Sequence, residues 1–336
     1  MKTVIKISLL MLLLLANKVY GQAYTIAANN CYKEKDYQCA QTQIDSAIIT
    51  NERFNSQTWQ LRGLIYKKLE TPENLEPREI AIESFVQARN VDSAKVYEEK
   101  ITSLLHNTII RYYNDAVVYL ENNDLNASEK SYSKYITSYK KYVNAQQDFT
   151  ASDIEYYNAL GAKCLKTASI KEGEEKEKLI NKGIECYLIV LEKDSTQFQS
   201  NFNLGVTYYN KGADIAVNID PLTPIEEIPA IEAKVQDYFS KALPYLLRAR
   251  EIEPDRLDVI EAITGCYYGL LDNENYLKHQ TLLDEKNLPK LLERVDKNPK
   301  DREALESLVR IYDTTLKDKD KFIKYNKMLE NLEMEE

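Results

Sequence analysis

Turn-forming residues are scarce in this chain: nine glycines and nine prolines in 336 residues. A sandwich or barrel of many short strands needs Gly, Pro or Asn at each tight reversal, so that class is excluded. Helix formers dominate instead, with an unusual 25 tyrosines, and the expectation is an all-α protein. Histidine is rarer still. His106 and His279 stand in no metal-ligand spacing such as H-E-x-x-H, and neither a phosphate loop nor a serine elbow occurs. His106, in SLLHNTIIRYY, reads as a half-buried helix residue without the partners a general base needs, and His279 as no better placed. The chain therefore reads as non-catalytic, with no cofactor and no metal.

Positive charge is also in deficit, 44 Lys and Arg against 53 Asp and Glu. The first residues, MKTVIKISLLMLLLLANKVYGQ, put Lys2 and Lys6 before an apolar run from Ile7 to Ala16, followed by Val19 and Gly21 ahead of Gln22. This is the pattern of a secretory signal peptide over residues 1–21, too short to span a bilayer comfortably. Export would place the mature chain in the periplasm or outside the cell. Loss of Lys2, Lys6 and Lys18 leaves 41 basic residues against 53 acids, a formal charge of −12. Such a surface repels phosphate backbones and anionic head groups, which argues against nucleic acid and against stable membrane insertion after cleavage.

Glycine is used sparingly, so the few helical glycines are informative. NFNLGVTYYNKG has the apolar spacing of a helix and yet carries Gly205 near its middle. A small residue with Tyr or Cys three positions later recurs at Ala28 and Cys31, Gly63 and Tyr66, Ala116 and Tyr119, Gly161 and Cys164, and Gly205 and Tyr208. Weaker copies centre on Thr264 with Tyr267 and Val309 with Tyr312. A ring stands four residues before the small one at Tyr24, Trp59, Tyr112 and Tyr157. Each of the first five copies is followed by a segment with two residues seven apart on one face: Ala40 and Ala47, Ala81 and Ala88, Ser128 and Tyr135, Gly183 and Val190, Ala242 and Ala249. Two helical turns separate each pair, which forms a shallow stripe for a neighbouring helix.

The pattern resembles the tetratricopeptide repeat, a helix–turn–helix unit of about 34 residues. The first copy, AYTIAANNCYKEKDYQCAQTQIDSAIITNERF, fits without a gap. The resemblance covers nearly all of residues 22–336 and implies a right-handed α-solenoid of six or seven hairpins, with lengthened helices where centres lie more than 34 residues apart. It implies that the small residue is where the two helices of one hairpin touch. The largest insertion, about 213–240, reads as two lengthened helices joined by a loop holding Pro221, Pro224 and Pro229. The layout is also similar to secreted, functionally unassigned tetratricopeptide proteins of Gram-negative envelopes.

In that family the first helices line a concave groove. Carried across, the groove positions are Asn29 and Tyr32, Leu64 and Lys67, Tyr113 and Val117, Asn158 and Leu165, Phe202 and Tyr209, and Glu261 and Tyr268. Asn29, Tyr32, Tyr113, Asn158, Phe202, Tyr209 and Tyr268 are the peptide-binding candidates, with the third to fifth hairpins carrying most of the site. Such a wall of rings and amides suits a peptide segment or helix of another envelope protein. The alternative is a glycan-binding envelope protein that stacks sugars on exposed tyrosines. The family's carboxylate clamp is not expected, since Thr25, Leu61 and Asn114 stand where Lys, Asn and Arg would be. Cys31 can reach Cys39 across the first hairpin, although antiparallel pairing would set Cys39 nearer Asn29; the bridge stays open.

Overall fold

The computed structural model describes residues 22–335, and the leader expected at 1–21 lies outside them. Fourteen α-helices and no strand occur among the described residues. The chain divides into two compact units between Phe149 and Thr150. In the first unit α1 (Ala23–Lys33) pairs with α2 (Tyr37–Ala47), α3 (Ser56–Leu69) with α4 (Glu76–Val91), and α5 (Glu98–Glu121) with α6 (Leu125–Tyr142). In the second, α7 (Thr150–Ala168) pairs with α8 (Gly173–Lys193), α9 (Phe198–Val217) with α10 (Ile228–Ile252), α11 (Leu257–Gly269) with α12 (Asn273–Lys297), and α13 (Arg302–Arg310) with α14 (Lys319–Glu335). Within each unit every hairpin packs on the next in the chain, the stacking of an α-solenoid built from tetratricopeptide-like repeats.

The repeating small residues sit where the helices of one hairpin cross. Ala28 and Ala116 are wholly buried, as are both members of the stripes Ala40/Ala47, Ala81/Ala88 and Ala242/Ala249. A methyl group added at Gly205 would lie 2.6 Å from Leu246 Cγ on α10, and one at Gly161 would lie 3.0 Å from the Tyr187 ring on α8. At the third crossing the buried Ser128 donates its hydroxyl to the Ala116 carbonyl at 2.8 Å, so the stripe also carries a hydrogen bond between the paired helices.

The tight hairpins share one turn. Its pivot is a residue in the left-handed region (Lys35, φ 64°; Asn123, φ 66°; Leu271, φ 59°), followed at once by an aspartate. The aspartate N–H donates to the carbonyl five residues back (Cys31, Tyr119, Tyr267), and its carboxylate caps the second helix at Cys39, Ala127 and Asn275. The last hairpin has one residue more, since Asp318 N–H reaches back six positions to Tyr312. A single π-helical turn, Ile311–Thr315, takes up that residue. Symmetry about Lys35 also sets Cys31 opposite Cys39, not Asn29. The two cysteines form a disulfide with Cα atoms 5.8 Å apart, which corrects the register drawn from sequence: the chain reverses about Lys35, one residue later than that pairing assumed. Cys164, Cys186 and Cys266 are buried and lie outside this disulfide.

The long insertion is helical at both flanks. α9 runs to Val217 and α10 begins at Ile228 with a proline in its first turn, leaving Pro221 and Pro224 in the connecting loop. No described helix is long and apolar enough to cross a membrane.

Candidate functional site

The expected groove residues fall in both units. In the first, α1 and α3 together with the start of α5 enclose a depression of about 360 Å3 that includes Asn29, Leu64, Gln57, Gln60 and Lys100. Gln57, Gln60 and Leu64 lie at helical spacing on one face of α3 and Asn29 on the facing side of α1, so the wall carries several amides, the aliphatic side chains of Ile26, Leu61 and Leu64, and one cation. Gln60 is 2% exposed. Its amide nitrogen donates to Ser56 Oγ at 3.1 Å while its carbonyl oxygen has no hydrogen-bond partner. A buried acceptor left open costs about 1–3 kcal/mol.

The helix that bears Asn29 is fixed from its N-terminus. The buried carboxylate of Glu52, in the 3-10 turn Asn51–Phe54, accepts from the backbone N–H of Tyr24 at 3.1 Å and of Thr25 at 2.8 Å, and from the Thr25 hydroxyl at 2.6 Å. Thr25 in turn meets Thr58 of α3 at 2.9 Å, tying the two walls together.

Other candidates are placed differently. Tyr32 is half-buried against the core of the first hairpins, with its ring 5.7 Å from Tyr37. Tyr113 packs into its own hairpin against Tyr132 and Tyr135 of α6, at 6.0 and 5.5 Å. Lys67 reaches the Asn107 carbonyl at 3.4 Å, and its pKa is lowered first by burial and then by Arg111. In the second unit Asn158 accepts from Ser200 Oγ at 2.6 Å and so joins α7 to α9. Phe202 stacks on Phe198 with the Arg256 guanidinium over both rings. Tyr209 lies 5.4 Å from Phe239, and its ring occupies the space a side chain at Gly265 would need. Burial raises its pKa, with Cys266 and Glu261 adding to the rise. It therefore fills the join between the fifth and sixth hairpins. Tyr268, by contrast, is 69% exposed beside Tyr276. The structure brings Asn29 and Leu64 into one cradle and sets Phe202 and Tyr209 in one apolar cluster.

Gln57, Gln60 and Lys100 escaped the family-based choice because it took two positions per repeat. The i, i+3, i+7 spacing of Gln57, Gln60 and Leu64 on one helix face was the available signal.

Titratable groups between helices serve packing. His279 is buried, with Nδ1 2.8 Å from the Asn275 carbonyl and Nε2 2.7 Å from Arg250. Burial lowers its pKa, the Asn275 bond opposes this, and Arg250 adds to the fall. Asp284 is 1% exposed and takes two hydrogen bonds from Arg310 (2.7 and 2.9 Å), one from Gln280 (2.8 Å) and one from Thr315 of the π-turn (2.6 Å). Burial pushes its pKa up, but these bonds outweigh it and hold the group below the ordinary 3.8. A carboxylate depressed on folding contributes stability above its unfolded pKa and loses it as pH falls through the folded value. Asp284→Asn should cost about 1–3 kcal/mol near neutral pH, since it weakens charge-assisted bonds at one half-buried end. It should also flatten the fall of stability below about pH 4, where the unfolded carboxyl takes up its proton. Urea titrations across pH check both; an unchanged acid limb contradicts the assignment.

No family model matches this chain, and no curated protein matches it either. Solved structures do. A TPR repeats protein of Bacteroides fragilis (BF2334) is 20% identical over 72% of this chain and 95% of its own, with a TM-score of 0.42. The TPR domain of P58(IPK) is 13% identical over 94% of this chain and 67% of its own, with a TM-score of 0.27. The TPR2AB domain of yeast Sti1, solved as a complex with pHSP90, is 14% identical over 86% of this chain and 97% of its own, with a TM-score of 0.26.

Proposed function

We propose that this chain is a non-catalytic protein-interaction scaffold, exported to the bacterial envelope, that holds a peptide segment or helix of another envelope protein against the first helices of its hairpins. The observation that carries this reading is the depression of about 360 Å3 in which the amides of Asn29 and Gln57 stand beside Leu64 and Lys100. A peptide backbone offers N–H and C=O groups along its length, and Asn29 and Gln57 supply acceptors and donors for them along this wall. Leu64 gives an apolar side chain of the ligand somewhere to rest, and Lys100 favours an acidic one.

The export step rests on the leader-like sequence at 1–21 together with the cystine at Cys31 and Cys39, a bond at home in an oxidising compartment. The test is a photo-crosslinking amino acid at position 64 in intact cells. A protein adduct should form from position 64 and should fall at least tenfold when Gln57→Ala and Gln60→Ala are added, with the melting temperature held within a few degrees. Adducts that form equally well with both glutamines removed would move the site out of this depression.

A further inference from the structure

Helices α9 and α10 are 20 and 25 residues long, against 13 for α11, which packs on them. They extend about 30 and 38 Å against about 20 Å, so the far end of this hairpin outruns that neighbour. Its apolar side chains are left bare: Val217, Leu222 and Ile225 are 82%, 87% and 86% exposed. Three bare aliphatic residues within nine positions are unusual on a surface with no partner.

Between the end of α9, the loop and the start of α10 lies a cleft of about 830 Å3. Ile215, Ile219 and Ile231 form part of its wall, and Asp220, Glu226 and Glu227 stand along it. Residues 213–234 carry five carboxylates and a single cation, Lys234. Glu226 and Glu227 enter no ion pair among the described residues. An apolar cleft with unneutralised carboxylates is complementary to a surface that offers apolar side chains flanked by lysines or arginines. An anionic lipid surface is repelled by the same charges.

We propose that the tip of the α9/α10 hairpin is a docking surface for a basic amphipathic helix of a partner protein. The partner's apolar side chains enter the cleft beside Ile215, Ile219 and Ile231, while its cations meet Asp220, Glu226 and Glu227. This surface shares no residue with the Gln60 depression, so either can fail alone.

The probe is a fluorescein-labelled leucine–lysine amphipathic helix of about four turns, titrated into the full mature chain by anisotropy at low and at high salt. The leucine–lysine peptide should bind, and its leucine–glutamate counterpart should not. Asp220→Asn with Glu226→Gln and Glu227→Gln should weaken binding at least tenfold and reduce its salt dependence. Ile219→Asp with Ile231→Asp should weaken it as much. Glu174→Gln with Glu185→Gln and Glu192→Gln on α8 removes the same charge elsewhere and should change affinity less than twofold. Equal loss in the two charge triples would mean general attraction to an acidic chain and would overturn the proposal. So would tip-dependent sedimentation with phosphatidylcholine vesicles, which would make the tip a lipid anchor. Circular dichroism of each variant checks the fold; if the isoleucine pair unfolds the chain, the carboxylate triple still decides.

Discussion

Arg78→Ala should destabilise the first unit by about 3–5 kcal/mol, the usual cost of leaving a buried charge without its partner. The Arg78 guanidinium is 1% exposed, near the start of α4. It pairs with Glu70, whose side chain is 2% exposed at the end of α3, and with Asp115 of α5 at 2.5 Å. Arg111 holds the other oxygen of Glu70 at 2.7 Å. The Tyr112 ring lies 4.5 Å from the Arg78 guanidinium, and its hydroxyl donates to Glu79, which also pairs with Lys134 of α6. Burial raises the Tyr112 pKa, and Glu79 raises it further. One cation thus joins the second hairpin to the third. Removing it leaves the buried Glu70 with Arg111 at one oxygen and nothing at the other, and the methylenes that cover the Tyr112 ring go with the charge. Denaturant unfolding, with amide exchange on α3 to α5 to localise the effect, measures the loss. Arg78→Met with Glu70→Gln should lose clearly less than the two single changes together, because the charges that then lack a partner, Asp115 and Arg111, are partly exposed to water. A loss under about 1 kcal/mol for Arg78→Ala would show that water reaches the pair.

The second large effect is Gly205→Leu, expected to cost roughly 1–3 kcal/mol through overpacking. The added Cβ alone would meet Leu246 Cγ at 2.6 Å and the Leu246 backbone nitrogen at 3.2 Å. The side chain can turn aside, but the backbone moves only if α10 moves. Gly205→Leu with Leu246→Ala should recover part of the loss, as it frees the volume without shifting the helix. Gly173 makes the contrast: nothing lies within 4 Å of a Cβ there, and its φ of 61° is the reason for glycine at that turn. An unchanged melting curve for Gly205→Leu would mean that the α9/α10 crossing lies elsewhere.

Burial at Ala28, Gly63, Ala116, Gly161 and Gly205 was legible in the sequence because it follows from one local rule repeated along the chain. Two helices can cross closely only where both withhold bulk, and helical spacing shows which residues share a face. The candidate site was legible only in part. Asn29 and Leu64 lie in the depression, whereas Tyr113 and Tyr209 pack inward, because a tyrosine on a first helix satisfies the periodicity equally well against either neighbour.

The amino-acid sequence by itself determined the helices, their pairing into hairpins and the crossing points, since these depend on residues within about one repeat of each other. The tertiary structure alone decided the Cys31–Cys39 bridge, the Arg78 and Asp284 networks, the open carbonyl of Gln60 and the bare tip beyond Val217. The bridge turns on a one-residue shift of the reversal to Lys35 that composition does not report. The others depend on which side chains from separate repeats converge, and among 53 acids and 44 bases only the packed backbone selects the pairs that meet.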